Sequence, residues 1–274
     1  MADERLNKER ERNLLGYFKK NIEQKEIEQK QMNKLVLILT LVVLTTYCFG
    51  QEKFIVTEVV KSFPYPNVKK EVKVNRNNIY EDSLYIVSKT CDGEWGGTII
   101  FKNKITDIEY LTISTCPVVV NKLNNKYYVT NSLAHLCGSS QILEISNPDS
   151  LTIVELPKFG REREKKIRDI KWHDFNLRRG TKSIVDTVGV QILVSFIYNE
   201  QLYHIIADDY KTFLAKIENN KFITIDTVSN KSLWTYEPKI FISEDKHLFI
   251  LFATYEVTGY LDIYENKITV TRSK

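Results

Sequence analysis

Gln201–Val228, QLYHIIADDYKTFLAKIENNKFITIDTV, decides how the rest of the chain reads. It spells three short strands. Leu202–Ala207 is apolar, Thr212–Glu218 follows a polar loop at Asp208–Lys211, and Phe222–Val228 follows the pair Asn219-Asn220. Asn tolerates left-handed backbone angles, so Asn-Asn between two β-rich runs predicts a tight hairpin. In the last run Ile223 and Ile225 alternate with Thr224 and Asp226, as in a strand with one face in solvent.

The same unit recurs. A polar pair precedes an apolar strand at Glu81-Asp82 (then LYIV), Asn124-Asn125 (KYYVT), Asn199-Glu200 (QLYHII) and Glu244-Asp245 (KHLFILFA). A strand-compatible run lies before each pair: VKVN (72–75), PVVVNKL (117–123), VQILVSFI (190–197) and KIFIS (239–243). Third strands follow at 97–102, 141–145, 212–217 and 259–264. Fourth strands are read at 108–113, 151–156, 222–227 and 267–271. The step from Leu84 to Tyr127 is 43 residues and that from Leu202 to His247 is 45, within the range of about 40–45 for a four-stranded propeller blade. Between Tyr127 and Leu202 the step is 75, so either a fifth, degenerate blade occupies about 157–187 or a long insertion does.

In spacing and turn chemistry the chain resembles the β-propeller superfamily over most of 54–272. The fold class expected is therefore all-β: a small β-propeller of four to five blades, with a β-sandwich of long hairpins as the alternative. Blades stacked around an axis bury both faces of each sheet, and the nearly continuous apolar run VQILVSFI suits a doubly covered strand. FIVTEVV (54–60) is expected to return as the outer strand of the last unit.

Composition agrees with strands. Of 274 residues, 43% are hydrophobic, with 15 Tyr and 13 Phe, and aromatic and β-branched residues favour pleated, half-buried surfaces. Only 10 Gly are present, so the turns fall to Asn, Asp and Lys. A net charge of +4 is too mild to imply a nucleic-acid partner.

The N-terminal part is of another kind. Residues 1–31 are densely charged and read as a helical or disordered extension. Met32 then opens MNKLVLILTLVVLTTYCFGQEK: a positive flank at Lys34, an apolar run Leu35–Leu44, and small residues at Cys48 and Gly50. That is the order of a secretory signal, with cleavage expected after Gly50. CFGQE resembles the signal ends of exported proteins of Bacteroidetes bacteria. Residues 32–50 are thus a signal peptide or, uncleaved, an anchor, and Met32 is a candidate start. The expected location is periplasmic or secreted; the alternative is the inner membrane, held through residues 35–50. Residues 51–274 form the propeller-like domain.

A basic stretch, 158–182, interrupts the repeat. Arg161–Trp172 has a helical pattern with Ile167, Ile170 and Trp172 on its apolar side. Arg161, Arg163, Lys165, Lys166 and Arg168 are candidate grips for an anion, since Arg forks match carboxylate and phosphate. The competing reading is a solvated insertion whose Ile and Trp residues pack on the propeller wall.

In a propeller the loops between second and third strands share a face with the inter-blade links. Here that face collects 89–96, 132–140, 207–211, 253–259 and the link 114–117. Candidate ligand-binding residues on it are Asp92, Glu94, Trp95, His135, Asp208, Asp209, Tyr210, Tyr255 and Glu256. Cys91, Cys116 and Cys137 fall there too. In an oxidising compartment a disulfide is expected, with Cys91–Cys137 the favoured pair. His135 and Cys137 without a CxxC do not make a metal motif. ADDYKTF distantly resembles the Asp-box of sialidase-type propellers but lacks its Ser and Gly, and no activity is carried over. His173, His204 and His247 read as structural.

No HExxH, GxSxG, phosphate loop or EF-hand pattern occurs. The sequence therefore reads as an exported, non-enzymatic protein binding a glycan or an envelope protein through one loop face, with no cofactor, metal or nucleic acid. Two alternatives stay open. One is a glycoside-hydrolase-like enzyme using paired acids of that face. The other is an envelope assembly protein.

Overall fold

The computed structural model describes residues 25, 29–40, 53–62, 78–158, 160–173, 175–236 and 238–274. The chain divides into two compact units, Met1–Lys53 and Phe54–Lys274. In the first, residues 29–40 are helical. Among the described residues no helix is long and apolar enough to cross a membrane. Residues 41–50, with the expected cleavage site, lie outside the described residues.

The second unit is built of four sheets. It opens with β1 (Ile55–Lys61), which belongs to the last of them. The first sheet holds β2 (Asn78–Glu81), β3 (Tyr85–Cys91), β4 (Gly97–Asn103) and β5 (Glu109–Ile113) in order. In the second, β6 (Pro117–Leu123), β7 (Lys126–Leu133) and β8 (Ser139–Ile145) are consecutive. The strand β9 (Thr152–Val154) leaves for the outer edge of the first sheet, and β10 (Thr181–Val188) takes the place beside β8. The third sheet is Gln201–Val228 with the strand before it: β11 (Gln191–Tyr198), β12 (Gln201–Ala207), β13 (Thr212–Glu218) and β14 (Lys221–Ser229). The fourth holds β15 (Lys239–Ile242), β16 (Leu248–Ala253), β17 (Thr258–Tyr264) and β18 (Lys267–Ser273), with β1 outside β18.

Turn chemistry fixes the hairpins. Asn124-Asn125, Asn199-Glu200 and Asn219-Asn220 all have positive φ, between 45° and 60°, the backbone that a two-residue hairpin loop needs to match strand twist. The polar pairs thus sit at the first-to-second or third-to-fourth hairpins, as their residue types require.

FIVTEVV returns as expected. β1 pairs β18 in parallel from Ile55↔Lys267 to Lys61↔Ser273. Phe54, just ahead of it, is buried and meets the rings of Phe196, Tyr198 and Tyr203 edge-on at 4.9–6.2 Å. That aromatic cluster stitches the start of the unit into the third and fourth sheets.

Three seams between sheets are packed. Tyr85, Val87, Phe101, Tyr127, Val129 and Leu143 fill the one between first and second. Ile142, Val185, Ile192 and Ile206 fill the second–third seam. Leu193, Phe196, Ile205, Leu214, Ile250 and Leu261 lie in the third–fourth seam. β11 is buried at every position from Gln191 to Phe196 because it serves two seams at once. No core cluster among the described residues joins the first and fourth sheets.

Sequence expectation and structure part in three places. VKVN (72–75) lies outside the described residues, and the edge strand beside β3 is Asn78–Glu81. LTIVEL (151–156) is not the fourth strand of its own unit: β9 pairs β5, with Glu109↔Val154 and Leu111↔Thr152. The reason is the turn before it. Asp149 Oδ1 accepts the Tyr85 hydroxyl at 2.7 Å and Leu151 is buried in the first–second core, so the chain is already committed to the first sheet. Nor does 157–187 form a fifth unit. It holds a helix, Arg161–His173, a short 3-10 turn, and β10.

The helix covers the other face of the first sheet, where Ile167 and Leu177 bury against Ile100, Leu111 and Val154 with Ile170 alongside. Arg163 is not available to an external anion. Its Nη1 and Nη2 grip both carboxylate oxygens of Glu109 at 2.9 and 2.8 Å, and Nη1 also donates to Pro157 O. Arg161, Lys165, Lys166 and Arg168 remain exposed.

Candidate functional site

The hairpins joining second to third strands are Asp92–Gly96, 134–138, 208–211 and 254–257, one from each sheet. Cross-links bring them into one neighbourhood. Between the first two, His135 Nδ1 lies 3.2 Å from Glu94 Oε2. Behind that pair, Cys91 is disulfide-bonded to Cys116, and Cys116 O accepts the Ser132 N–H at 3.2 Å.

This disulfide corrects the expected Cys91–Cys137 pair. Cys91 ends β3, and the chain leaving β5 passes beside it on the way to β6, so the two Cα atoms are 4.4 Å apart. That separation suits a bridge. Cys137 is a free, exposed thiol. Among the described residues no group of three or more His, Cys, Asp or Glu could hold a metal ion.

The other hairpins are gathered by a segment that the sequence reading passed over, 229–236, which links β14 to the fourth sheet. Ser232 Oγ donates to Asp208 O at 2.5 Å. Trp234 Nε1 donates to Ala134 O at 3.4 Å. Gly138 has φ +70° and a Cβ there would collide with the Trp234 ring, so glycine is required by both angle and space. The buried Gln191 side chain bonds Thr235 N–H at 2.9 Å and also Thr235 O. Thr235 Oγ1 donates to Ala253 O at 3.3 Å, and Lys231 Nζ sits 3.1 Å from Glu256 Oε2. KSLWTY has no strand alternation to reveal it. The rule that blade links share the loop face, applied at 114–117, would have found it if applied here.

The aromatic candidates are outward. Trp95 is 65% exposed, Tyr210 78%, and Tyr255 fully exposed. Tyr236, on the linking segment, is 66% exposed and joins them as a residue not foreseen. The acids divide by role. Asp208 Oδ1 accepts the amides of Tyr210 and Lys211 at 2.8 and 2.7 Å, the local bonding that lets Asp shape a turn. Glu94 faces His135, and Glu256 faces Lys231. Asp92 heads the short turn Gly93–Trp95 without capping it by its side chain. Asp209 is exposed beside Asp208.

Two of the remaining histidines sit in packing roles. His204 is fully buried, with Nδ1 2.7 Å from Ser195 Oγ, and Thr130 donates to that same oxygen at 2.7 Å. Burial pushes its pKa down to about 3, so the ring is neutral. His247 Nδ1 is 2.7 Å from Asp262 and its ring stacks on Phe249 and Tyr264. The side chain of His173 lies outside the described ones.

Protein-family models, curated proteins and solved structures were all compared with the chain, and none matches it.

Proposed function

We propose that residues 54–274 act as a four-bladed β-propeller-like binding module, exported behind the signal of residues 32–50, that takes a ligand or partner through its loop face without catalysis. The observation that carries this reading is the convergence on segment 229–236. Contacts from Asp208, Ala134, Ala253 and Glu256 to that one strip gather hairpins from three sheets, and the Glu94–His135 pair adds the fourth. Exposed Trp95, Tyr210, Tyr236 and Tyr255 give the face flat apolar surfaces, which suit sugar rings or the apolar side chains of a partner. The acids engaged in turns and pairs support binding over hydrolysis, because a glycosidase needs two carboxyls aimed across one bond.

A glycan panel probed with the full chain and with a Trp95→Ala/Tyr210→Ala/Tyr255→Ala variant tests the reading. The intact face is expected to bind without releasing product, and the variant to lose binding while keeping its far-ultraviolet circular dichroism. Equal binding by both proteins would refute the loop face as the site. Product release that stops in Asp209→Asn or Glu94→Gln would favour the enzyme instead. Export is read separately from the N-terminal residue of the protein isolated from its host, expected to be Gln51.

A further inference from the structure

A second site lies between the first and second sheets, lined in part by Thr115 and Ser139 next to the loop side but by other residues than the loop-face candidates. A cavity of about 340 Å³ opens there, with Thr115, Asn131, Ser139, Gln141, Arg178 and Asp186 among its polar lining. None of the nine loop-face candidates takes part in it. Its wall is ordered by a hydrogen-bond chain that runs from the buried Ser114 and Asn131 out to the exposed Asp186. Ser114 Oγ donates to Asn131 Oδ1 at 2.5 Å, Asn131 Nδ2 donates to Gln141 Oε1 at 3.3 Å, and Gln141 Nε2 donates to Asp186 Oδ2 at 2.7 Å. Asn131 itself is buried. A row of amides and a carboxylate fixed in this way is preorganised, so a ligand need not order it on binding.

We infer that this cavity binds one monosaccharide acid, of the uronic-acid class, with the ligand carboxylate on Arg178 and its ring hydroxyls on Asp186, Asn131 and Gln141. Three features of the lining select that chemistry. The volume sits near the lower end for small-molecule sites, enough for a single sugar ring and too little for a chain. Amides, hydroxyls and a carboxylate both donate to and accept from ring hydroxyls, and they outnumber the apolar contributors, Ile113 and Leu143. At the exposed rim the Arg178 guanidinium offers the planar fork that matches a carboxylate. The insertion supplies this group: Arg178 and Thr181 sit where the chain comes off the helix and enters β10. The detour of the chain across the first sheet therefore builds the rim of the site.

Calorimetric titration of the full-length protein with galacturonate, galactose and glycine tests the assignment. Galacturonate is expected to bind. Galactose, lacking the carboxylate, is expected to bind about tenfold or more weakly, as is galacturonate to Arg178→Gln, from the loss of one charge-assisted hydrogen-bond pair. Arg178→Lys is expected to recover part of the affinity. Asp186→Asn is expected to weaken both sugars, and Trp95→Ala to change neither, which separates this site from the loop face. Absence of galacturonate binding, equal affinity for galactose, unchanged affinity in Arg178→Gln, or tighter binding of glycine would each overturn the proposal.

Discussion

The hydroxyl of Tyr127 donates to Asp82 Oδ2 at 2.7 Å across the seam between the first and second sheets. Lys122 Nζ reaches the same oxygen at 2.7 Å and lies 4.9 Å above the Tyr127 ring. Asp82 Oδ1 is meanwhile taken by the amides of Leu84 and Tyr85, both at 2.8 Å. One carboxylate therefore closes the β2–β3 turn and pins the neighbouring sheet. Burial opposes its ionisation, but the bonds from Lys122, the Tyr85 amide, Tyr127 and the Leu84 amide outweigh that and hold its pKa well below the usual 3.8. Tyr80, beside it, is pushed up to about 12 by burial and by the Asp82 charge.

Asp82→Ala is expected to destabilise the sheet unit by roughly 2–4 kcal/mol, the scale for hydrogen bonds to a charged group left partnerless, and Tyr127→Phe by about 1–2 kcal/mol. Because the folded pKa is depressed, the contribution is full above pH 3.8 and is lost as pH falls below it. Urea midpoints measured from pH 7 to pH 2 should show a steeper acid loss in the wild type than in Asp82→Asn.

His204 governs a different acid window. Its folded pKa, near 3, lies below the ordinary 6.5, so the unfolded chain binds the proton first. Stability from this group is complete above pH 6.5 and falls as pH drops from 6.5 towards 3. The slope is on the order of 1 kcal/mol per pH unit for a single proton. His204→Leu removes the titration, and its stability should vary less with pH between 6.5 and 4 than that of the wild type. Parallel curves would show that another group sets this limb.

Reduction reports on the bridge. Cys91–Cys116 closes 25 residues of chain, and losing it is expected to cost roughly 3 kcal/mol. Cys91→Ser should match the reduced wild type in a thermal melt, whereas Cys137→Ser should be indistinguishable from the oxidised wild type. Peptide mapping without reductant should recover a fragment joining Cys91 to Cys116.

Glu200 is a stabilisation target. It holds φ 58° in the two-residue loop between β11 and β12, a region that costs a side-chain-bearing residue about 1 kcal/mol. Glu200→Gly gives Asn-Gly, the residue pair best suited to this turn. The melting midpoint should rise, by an amount equivalent to about 0.5–1 kcal/mol. A fall would mean that Glu200 contributes elsewhere.

Sequence by itself determined the hairpins, because their cause is local. Asn219-Asn220 and Asn124-Asn125 carry the backbone angles of their turns in their own residue types, and alternation on each side sets the pairing register. The same reasoning foresaw the return of Phe54–Val60, whose β-branched run suits an edge strand, and the Ile167–Ile170 side of the helix, whose spacing needs an apolar floor. What only the tertiary structure decided depends on which sheet edges and chain ends become neighbours. Three residues, Thr152–Val154, are compatible with either of two edges, and it is the Tyr85–Asp149 bond and buried Leu151 that choose the first sheet. Cys91 could have met Cys116 or Cys137 by composition, and the course of the chain out of β5 chose Cys116. The contacts of segment 229–236 and the Asn131–Gln141–Asp186 chain were decided in the same way. They join residues distant in sequence, which no local pattern encodes.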